Sequence, residues 1–308
     1  MITIIPDTHG RVFWKKAVES ACKDDTIVFL GDYLDMYWED SIVHDITNES
    51  TLENFGEILE LKKSNPERVV LLLGNHDCEY MYSRNVCDCR CDRKNYDIIQ
   101  SLFRDNWKLF RMAWETTIRG RRYVFSHAGL SIEWMNEHVE GWDENNLVER
   151  LNALYEESMS LSNPASSSFA EALSEMDIYR CGEGTLGSPI WQDAENAARG
   201  DKMSGITQVV GHTKCKDRFP IRMSGYWFLD CDGGQWFTLT DHGGLRDKDG
   251  SVVRKNENPF NSPGKDSIDT NCFGHYFCRN CGSRRIYIRA GMYVDTYVCL
   301  DCGTKIHA

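Results

Sequence analysis

Three apolar stretches near the start of the chain each end in a cluster of polar residues. I-T-I-I-P is followed by D-T-H-G, T-I-V-F-L-G by D-Y-L-D, and R-V-V-L-L-L-G by N-H-D. Short apolar runs rich in β-branched residues are typical of buried strands. The segments between them, R-V-F-W-K-K-A-V-E-S-A-C and S-T-L-E-N-F-G-E-I-L-E-L-K-K-S-N, have the apolar spacing of helices. This alternation predicts parallel strands joined by right-handed crossovers, and therefore an α/β fold.

The polar clusters are expected to meet, because the carboxyl ends of the strands in an open α/β sheet form the ligand-binding crevice. Two later strands predicted from the sequence end in S-H-A-G and V-V-G-H-T, and they add two imidazoles to the same edge. The expected set of polar residues is Asp7, His9, Asp32, Asp35, Asn75, His76, His127 and His212.

The chemistry of this set indicates a metal site. Carboxylates, an amide oxygen and neutral imidazoles together favour Mn, Fe, Zn or Co over Ca or Mg. The ligands are too many for one ion and suit two, which at about 3.5–4 Å apart activate a shared water toward a phosphoryl group. A single D-x-H or G-N-H-D motif is usually only a turn or a capping pair. Five such motifs, each at the end of a strand, favour a dinuclear site.

The ordered motifs D-T-H-G, G-D-Y-L-D, G-N-H-D, S-H-A-G and G-H-T resemble those of the calcineurin-like metallophosphoesterases. The resemblance covers about residues 1–242 and is strongest to the phosphoprotein phosphatase branch found in bacteria and phages. It implies a four-layer α/β/β/α sandwich with a dinuclear site. By this resemblance Asp7 and His9 hold the first metal, Asp32 bridges, and the second metal is held by Asn75, His127 and His212.

The resemblance also implies that His76, paired with Asp35, is the general acid. A carboxylate beside an imidazole raises its pKa and keeps it protonated. The implied reaction is hydrolysis of phosphomonoesters, with phosphoserine and phosphothreonine as leading substrates, by a metal-bound hydroxide. The same site would serve a hydrolase of nucleotides or dinucleoside polyphosphates, or a phosphatase of nucleic-acid ends. A non-enzymatic alternative is a metal-binding scaffold that recruits a partner.

Two positions depart from the family pattern. The arginine that usually follows the second aspartate of G-D-x-x-D is missing, because Met36 follows Asp35. Arg180 resembles the family's second arginine, and Arg84 is a further candidate, although both also fit ordinary surface positions. Lys214 replaces the second histidine of the G-H-x-H motif found in many phosphodiesterases. This replacement favours a phosphatase.

The last cysteines of the chain have the pattern C-x-x-C, seventeen residues, C-x-x-C. This is the spacing of a zinc ribbon, in which four thiolates hold one structural zinc. Basic and aromatic residues alternate between the pairs, which leaves both single-stranded nucleic acid and a protein open as partners. Cys87, Cys89 and Cys91 are interpreted as loop thiols, with a second metal site as the alternative. The predicted zinc ligands are Cys278, Cys281, Cys299 and Cys302.

Composition predicts the domain order. A polar segment rich in Gly, Pro, Asn and Asp separates a phosphoesterase domain (1–242) from the ribbon (272–308), so residues 243–271 are predicted to be a linker. The net charge of −12 argues against a general affinity for nucleic acid or anionic membranes. No apolar run has the length of a membrane span. Because a thiolate zinc site needs reduced cysteines, we expect a cytoplasmic protein.

Overall fold

The computed structural model of the chain describes residues 1–83, 90–180, 182, 187–215, 220–223, 225–231 and 234–254, together with five short strands beyond residue 267. In the part up to residue 254, eleven strands form two sheets. The strands are β1 (Ile2–Ile5), β2 (Thr26–Phe29), β3 (Val69–Leu72), β4 (Phe110–Arg111), β5 (Ala113–Ile118), β6 (Arg121–Ser126), β7 (Ile206–Val210), β8 (Ile221–Arg222), β9 (Tyr226–Phe228), β10 (Phe237–Leu239) and β11 (Leu245–Asp247).

The first sheet has the strand order β11-β10-β1-β2-β3-β4. Its strands β1 to β4 are parallel, as the alternation of strands and helices predicts, whereas β10 and β11 are added in antiparallel orientation. The second sheet has the order β5-β6-β7-β9-β8, with β6, β7 and β9 parallel. The described residues up to 254 therefore form a mixed α/β arrangement with two sheets, as predicted.

The helices connect the strands and cover the sheets. They are α1 (Phe13–Ser20), α2 (Trp38–Val43), α3 (Asn48–Ser64), α4 (Asn75–Tyr82), α5 (Tyr96–Asp105), α6 (Ile132–His138), α7 (Leu147–Met159), α8 (Ser168–Leu173) and α9 (Ala194–Arg199). Helix α3 begins earlier than the sequence indicates. The side chain of Thr47 accepts the backbone N–H of Ser50, and the Ser50 hydroxyl accepts that of Thr47, so this capping box places the start before Ser50.

Alternate residues of the strands belong to two different buried clusters, one on each face of the sheet. Ile4 and Val28 face the second sheet and pack in one buried cluster with Phe125 and Val209. The alternate residues of the same strands, such as Phe29, pack in a second buried cluster with residues of the helices. Because successive strand residues point to opposite faces, the two sheets enclose one apolar layer and the helices cover their outer faces.

A tight hairpin joins β5 and β6. Ile118 pairs with Arg121, and the two residues between them, Arg119 and Gly120, have φ angles of 51° and 75°. Positive φ at both central positions is the geometry of a type I′ turn, whose twist matches that of the flanking strands.

Part of the segment predicted to be a linker packs on the first sheet. β11 pairs with β10, and the side chains of Leu245 and Val253 are buried. A strand of three residues has too few apolar positions to stand out in a polar stretch. Residues 255–267 lie outside the described part of the chain, so the division at residues 242 and 271 stays a prediction.

Five further strands follow. β12 (Ile268–Thr270) and β13 (Tyr276–Cys278) form an antiparallel pair. β14 (Ile286–Arg289), β15 (Thr296–Cys299) and β16 (Lys305–His307) form an antiparallel sheet of three strands. The side chains of the four predicted zinc ligands, Cys278, Cys281, Cys299 and Cys302, lie outside the described residues. Within the described part of the chain, none of the helices combines the length and apolar character that crossing a membrane requires.

Candidate metal centre and active site

The predicted polar residues converge at the carboxyl ends of the strands, and all eight side chains are buried. In the first sheet they follow the three parallel strands that carry the sequence motifs. In the second sheet they follow the parallel strands β6 and β7. The set consists of Asp7 and His9 after β1, Asp32 and Asp35 after β2, Asn75 and His76 at the start of α4, His127 after β6 and His212 after β7.

The backbone is unusual at four of these positions. His9, Asp32, Asp35 and His212 have φ angles between 43° and 62°. They are four of the seven non-glycine residues with positive φ in the described part of the chain. The left-handed conformation is uncommon outside glycine, although Asp and His tolerate it better than most residues. Its concentration here indicates that the sharp turns after the strands are shaped to aim these side chains inward.

One group of donors lies at the end of the first sheet. A ligand atom from each of Asp7, His9 and Asp32 lies within 4.8 Å of the other two. The Nδ1 of His9 donates to the carbonyl oxygen of Leu34 at 2.9 Å, which leaves Nε2 facing Asp32 Oδ2 at 3.6 Å. The orientation of the ring is thus fixed by the backbone, and its second nitrogen is directed at the carboxylates.

A second group of donors shares Asp32 with the first. Ligand atoms of Asp32, His127 and His212 also lie within 4.8 Å of one another. The Nδ1 of His127 donates to the carbonyl oxygen of Leu30 at 2.8 Å, and its Nε2 lies 3.0 Å from Asn75 Oδ1 and 3.5 Å from Asp32 Oδ2. Asp32 is therefore the only residue common to the two groups found among the described residues.

Burial controls the charges of these donors. It is the largest effect on the pKa values of His9, His127 and His212, and all three are lowered. Burial, with the nearby carboxylates of Asp230 and Asp32, raises the pKa of Asp7 well above its usual range. Burial also opposes ionisation of Asp32, but the surrounding histidines, His127 first, lower its pKa to about 2. The lowered pKa values favour the neutral form of these three imidazoles, which is the form that binds metals.

The donors fit a pair of cations. His212 Nε2 is buried and has no hydrogen-bond partner within the described residues. Glycines allow the backbone to pass close to the carboxylates, since a Cβ at Gly74 would lie 2.1 Å from Asp32 Oδ1 and one at Gly211 would lie 2.0 Å from Asp7 Oδ1. A buried nitrogen without a partner and two crowded carboxylates are satisfied by positive ions between them.

An imidazole–carboxylate pair lies beside the donors. His76 Nδ1 is 2.7 Å from Asp35 Oδ2, and the hydroxyl of Tyr80 donates to the other oxygen of that carboxylate. The backbone N–H of His76 donates to Asp32 Oδ1 at 3.1 Å, which ties the pair to the donor groups. Burial lowers the pKa of His76, but Asp32 and Asp35 outweigh it, so the pKa is raised above its ordinary value.

Residues 1–175, more than half of the 308-residue chain, match the family model of calcineurin-like phosphoesterases. The chain belongs to this family. It is therefore a hydrolase of phosphate esters. The resemblance found in the sequence motifs is confirmed, and the two-sheet architecture agrees with it.

Comparison with one solved structure supports the fold of this phosphoesterase. The cold-active protein-tyrosine phosphatase of a psychrophilic Shewanella species is 17% identical, with 82% of this chain and 80% of that one covered and a TM-score of 0.51. A serine/threonine phosphatase of Saccharomyces cerevisiae is 15% identical, with 84% and 81% covered and a TM-score of 0.46. No curated protein matches the chain in sequence. At this identity the first likeness concerns the fold alone.

The phosphoesterase has a basic residue at its site that the sequence analysis missed. Arg90 donates from Nη2 to His76 Nε2 at 2.8 Å and from Nη1 to the carbonyl oxygen of Asp35 at 2.9 Å. Its guanidinium carbon lies 3.8 Å from the centre of the Tyr37 ring, and Lys214 Nζ lies 3.5 Å from the same point. A basic residue after N-H-D was the available signal, and it pointed instead to Arg84, which lies outside the described residues.

Arg180 lies beside the second group of donors. Its Nε is 2.8 Å from Asp193 Oδ2, and its Nη2 donates to Thr213 Oγ1 at 2.8 Å and to the carbonyl oxygen of His212 at 3.5 Å. The ring of Trp191 stands perpendicular to that of His212, with centres 5.7 Å apart. Arg180 is thus oriented by an ion pair next to the loop that carries His212.

Asp77 holds two strand ends of the phosphoesterase together, a function that the N-H-D motif alone did not indicate. Its carboxylate accepts the backbone N–H groups of Asp32 at 2.8 Å, Tyr33 at 3.1 Å and Gly74 at 2.8 Å. The loop after β2 is thereby joined to the start of α4, and the bridging candidate Asp32 is fixed relative to His76.

The predicted loop thiols of this phosphoesterase are only partly described. Cys91 is half-buried and is not in a disulfide. Cys87 and Cys89 lie outside the described residues, so the alternative of a second metal site at these cysteines also falls outside them.

Proposed function

We propose that this phosphoesterase hydrolyses phosphomonoesters at a dinuclear metal site, with phosphoserine and phosphothreonine in proteins as its substrates. The observation that carries the proposal is the position of Asp32 in both donor groups, next to the His76–Asp35 pair. A site that only binds cations has no need of an imidazole–carboxylate pair. The combination supports a site that binds cations and also moves a proton.

The two donor groups support a proposal of ligands for two divalent ions. Mn, Fe, Zn and Co are the ions that suit carboxylates and imidazoles together. When bound, the pair supplies Lewis acidity and an activated water for attack on phosphorus. The lowered pKa values of the three histidines support this assignment, because neutral imidazoles bind metal without first losing a proton. The ligands would be Asp7, His9 and Asp32 for one ion, and Asp32, Asn75, His127 and His212 for the other.

His76 is proposed as the general acid. Its Nδ1 faces Asp35, so Nε2 is the nitrogen directed toward a leaving oxygen. Asp35 fixes the orientation of the ring, and Tyr80 fixes Asp35 in turn. The leaving oxygen would take the place of Arg90 Nη2 at Nε2. Once Arg90 has left Nε2 and the imidazole is protonated there, donation of that proton lets a serine or threonine side chain depart as a neutral alcohol rather than as a costly alkoxide.

Arg180 is proposed as a phosphate-binding residue on the other side of the site. Its ion pair with Asp193 and its hydrogen bond to Thr213 hold the guanidinium beside His212. A guanidinium fixed in this way loses little conformational freedom when it binds a phosphate oxygen.

The test of the proposed function compares two substrates on the manganese-loaded protein. Hydrolysis of a phosphoserine peptide is expected to proceed with a much larger kcat/KM than that of bis-p-nitrophenyl phosphate, a diester. Metal analysis of the same sample should find two ions per chain in addition to any structural zinc. A clear preference for the diester would contradict the proposal.

A second candidate function is hydrolysis of nucleotides or dinucleoside polyphosphates. A groove of about 1070 Å³ begins at Tyr37 and Lys214, and Arg11, Lys16 and Lys248 also line it. Glu39, Asp40 and Asp45 also line the groove, and Arg11 is paired with Asp40, so the excess of positive charge is small and the size of the groove is what favours a long substrate. Incubation with diadenosine tetraphosphate, followed by product analysis, separates the two candidates. The second candidate would be favoured if nucleotides were released from diadenosine tetraphosphate faster than phosphate is released from a phosphopeptide.

The C-terminal cysteines are proposed to hold one structural zinc ion. The two C-x-x-C pairs support this, and reduced thiolates would imply a cytoplasmic location. Replacing Cys278 by Ser should remove one zinc per chain and leave the two active-site ions in place. An unchanged zinc content in this variant would contradict the assignment. A binding assay with single-stranded nucleic acid then tests that partner against a protein partner.

A further inference from the structure

Three positive side chains lie over the ring of Tyr37: Arg11, at 5.3 Å from the ring centre, and two much closer ones from separate loops, Arg90 and Lys214. The guanidinium carbon of Arg90 is 3.8 Å from the ring centre, and Lys214 Nζ is 3.5 Å from it. Both distances are well inside the limit of about 6 Å for attraction between a cation and an aromatic face. The hydroxyl of Tyr37 lies 3.5 Å from His9 Nε2, so the ring adjoins the first donor group. Arg90, Lys214 and Tyr37 are called the cationic clamp below.

The cationic clamp reaches the atom that faces the leaving group. Arg90 Nη2 lies 2.8 Å from His76 Nε2, the nitrogen proposed to meet the leaving oxygen. A phosphate whose leaving oxygen arrives at this nitrogen brings its other oxygens within reach of the same guanidinium. The contacts with His76 and Asp35 use two of the five N–H donors of Arg90. The planar fork of a guanidinium matches two oxygens of one phosphate.

We propose that the cationic clamp binds the phosphate oxygens that face away from the donor groups, and that it selects dianionic monoesters over diesters. This inference rests on the proposed function, because it takes His76 Nε2 as the atom that faces the leaving oxygen. Met36 supplies no charge after Asp35, and the clamp provides positive charge from two other loops instead. A monoester has one more negative charge and one more free oxygen than a diester, so a second cation benefits the monoester more.

A purely structural function of the cationic clamp has different consequences. Arg90 contacts His76 and the backbone carbonyl of Asp35, and Lys214 contacts Tyr37, and these contacts alone would be enough to hold the two side chains there. In that case the loss of Arg90 changes the affinity for metal or the stability of the fold. The affinity of the metal-loaded protein for phosphate would then stay the same.

The test measures binding of inorganic phosphate to the full-length, manganese-loaded protein by calorimetry. Arg90→Ala is expected to weaken phosphate binding by about 10- to 100-fold, the usual effect of losing hydrogen bonds to a charged group. Arg90→Lys should recover part of this affinity, because it keeps the charge and loses the fork. Lys214→Ala should cause a smaller loss, of about 3- to 10-fold. Manganese content and thermal stability are measured on each variant.

Arg222→Ala is the matched control. Arg222 also lies over an aromatic ring, with its guanidinium carbon 4.8 Å from the centre of the Trp227 ring, and it also donates to a backbone carbonyl, that of Val253. It belongs to β8, away from the donor groups. Its loss should leave phosphate affinity at the wild-type value, whatever it does to stability.

The kinetic readout is the ratio of kcat/KM for a monoester to that for a diester. This ratio should fall in Arg90→Ala by about 10-fold or more, mainly through a higher KM for the monoester. Wild-type phosphate affinity in Arg90→Ala, or a loss explained entirely by missing manganese, would overturn the inference. If the wild-type protein hydrolysed only diesters while phosphate binding still depended on Arg90, the proposed function and the selection of monoesters would both fail, and only the binding of phosphate by the cationic clamp would stand.

Discussion

The donor groups and the cationic clamp face the same space but are built in different ways. Every proposed metal ligand comes within a few residues of the end of a buried parallel strand, where the backbone is held on both sides. Arg90 and Lys214 come from loops, and both lie against the ring of Tyr37. The rigid strands suit atoms that must hold fixed distances, whereas loops suit side chains that adjust to a substrate. The predictions below test this division.

The largest effect is expected at the residue shared by the two donor groups. Asp32→Asn removes the ionised oxygen proposed to bridge and should lower the manganese content from the proposed two ions to less than one per chain. Turnover should fall by well over about 100-fold, the loss that follows from disturbing ligand partners alone. Asp249→Asn, in an exposed turn, is the control and should retain both ions. Two tightly bound ions in Asp32→Asn would show that Asp32 does not bridge.

His76→Ala should separate proton transfer from metal binding. Because the backbone N–H that reaches Asp32 remains in alanine, the metal content should not change. Hydrolysis of a phosphoserine peptide should slow by about 10²- to 10⁴-fold. With p-nitrophenyl phosphate, whose leaving group needs little protonation, the loss should be much smaller. An equal loss with both substrates would exclude His76 as the general acid.

Asp77→Ala should show how far the donor groups depend on the buried hydrogen bonds through which Asp77 connects the loop after β2 to the start of α4. Three backbone N–H groups lose their acceptor, so unfolding should become easier by about 3 kcal/mol, and metal affinity should fall with it. Asp143→Ala removes an acceptor of two backbone N–H groups in an exposed turn. This control substitution should lower the free energy of unfolding by about 1 kcal/mol and leave the metal content unchanged. Equal costs in the two variants would contradict the special position of Asp77.

The smallest effect concerns the loop that precedes Arg180. Burial raises the pKa of Asp177 to about 7, from an ordinary value of 3.8. Between these values the folded state holds a proton that the unfolded state has lost, so stability decreases as the pH rises through this window and is level above it. The slope is at most about 1.4 kcal/mol per pH unit.

Urea unfolding near pH 5 and near pH 8 measures this dependence. Asp177→Asn should reduce the difference between the two stabilities, because the asparagine does not ionise. Asp249→Asn, whose side chain is exposed, should keep the wild-type difference. An unchanged difference in Asp177→Asn would mean that another group causes the dependence.

The strands and the donor residues could be predicted because both depend on short-range patterns. The runs ending before Asp7, Asp32 and Asn75 are strands in the structure, and parallel pairing brings their ends together whatever the connecting helices contain. The order of the motifs along the chain indicated the calcineurin-like family, and the match over residues 1–175 confirms it. The metals and the roles of the individual ligands stay predictions.

The remaining features depend on contacts between distant segments. Arg90 reaches His76 because Tyr37, more than fifty residues earlier, supports its guanidinium, and no local pattern encodes such a pairing. The same holds for Asp77, whose acceptor function requires the loop after β2 to lie beside α4. β11 could not be predicted from the sequence, because it is a strand through its pairing with β10 rather than through its own composition.

The left-handed turns at His9, Asp32, Asp35 and His212 have a consequence for the dynamics of the protein. Each such backbone is disfavoured by about 1 kcal/mol or more, so these turns are the positions where local opening relieves most strain. An ion that binds only the closed form adds its binding free energy to the native state. Amide hydrogen exchange should therefore slow first at these four turns when manganese is added, before protection changes in the strands that precede them.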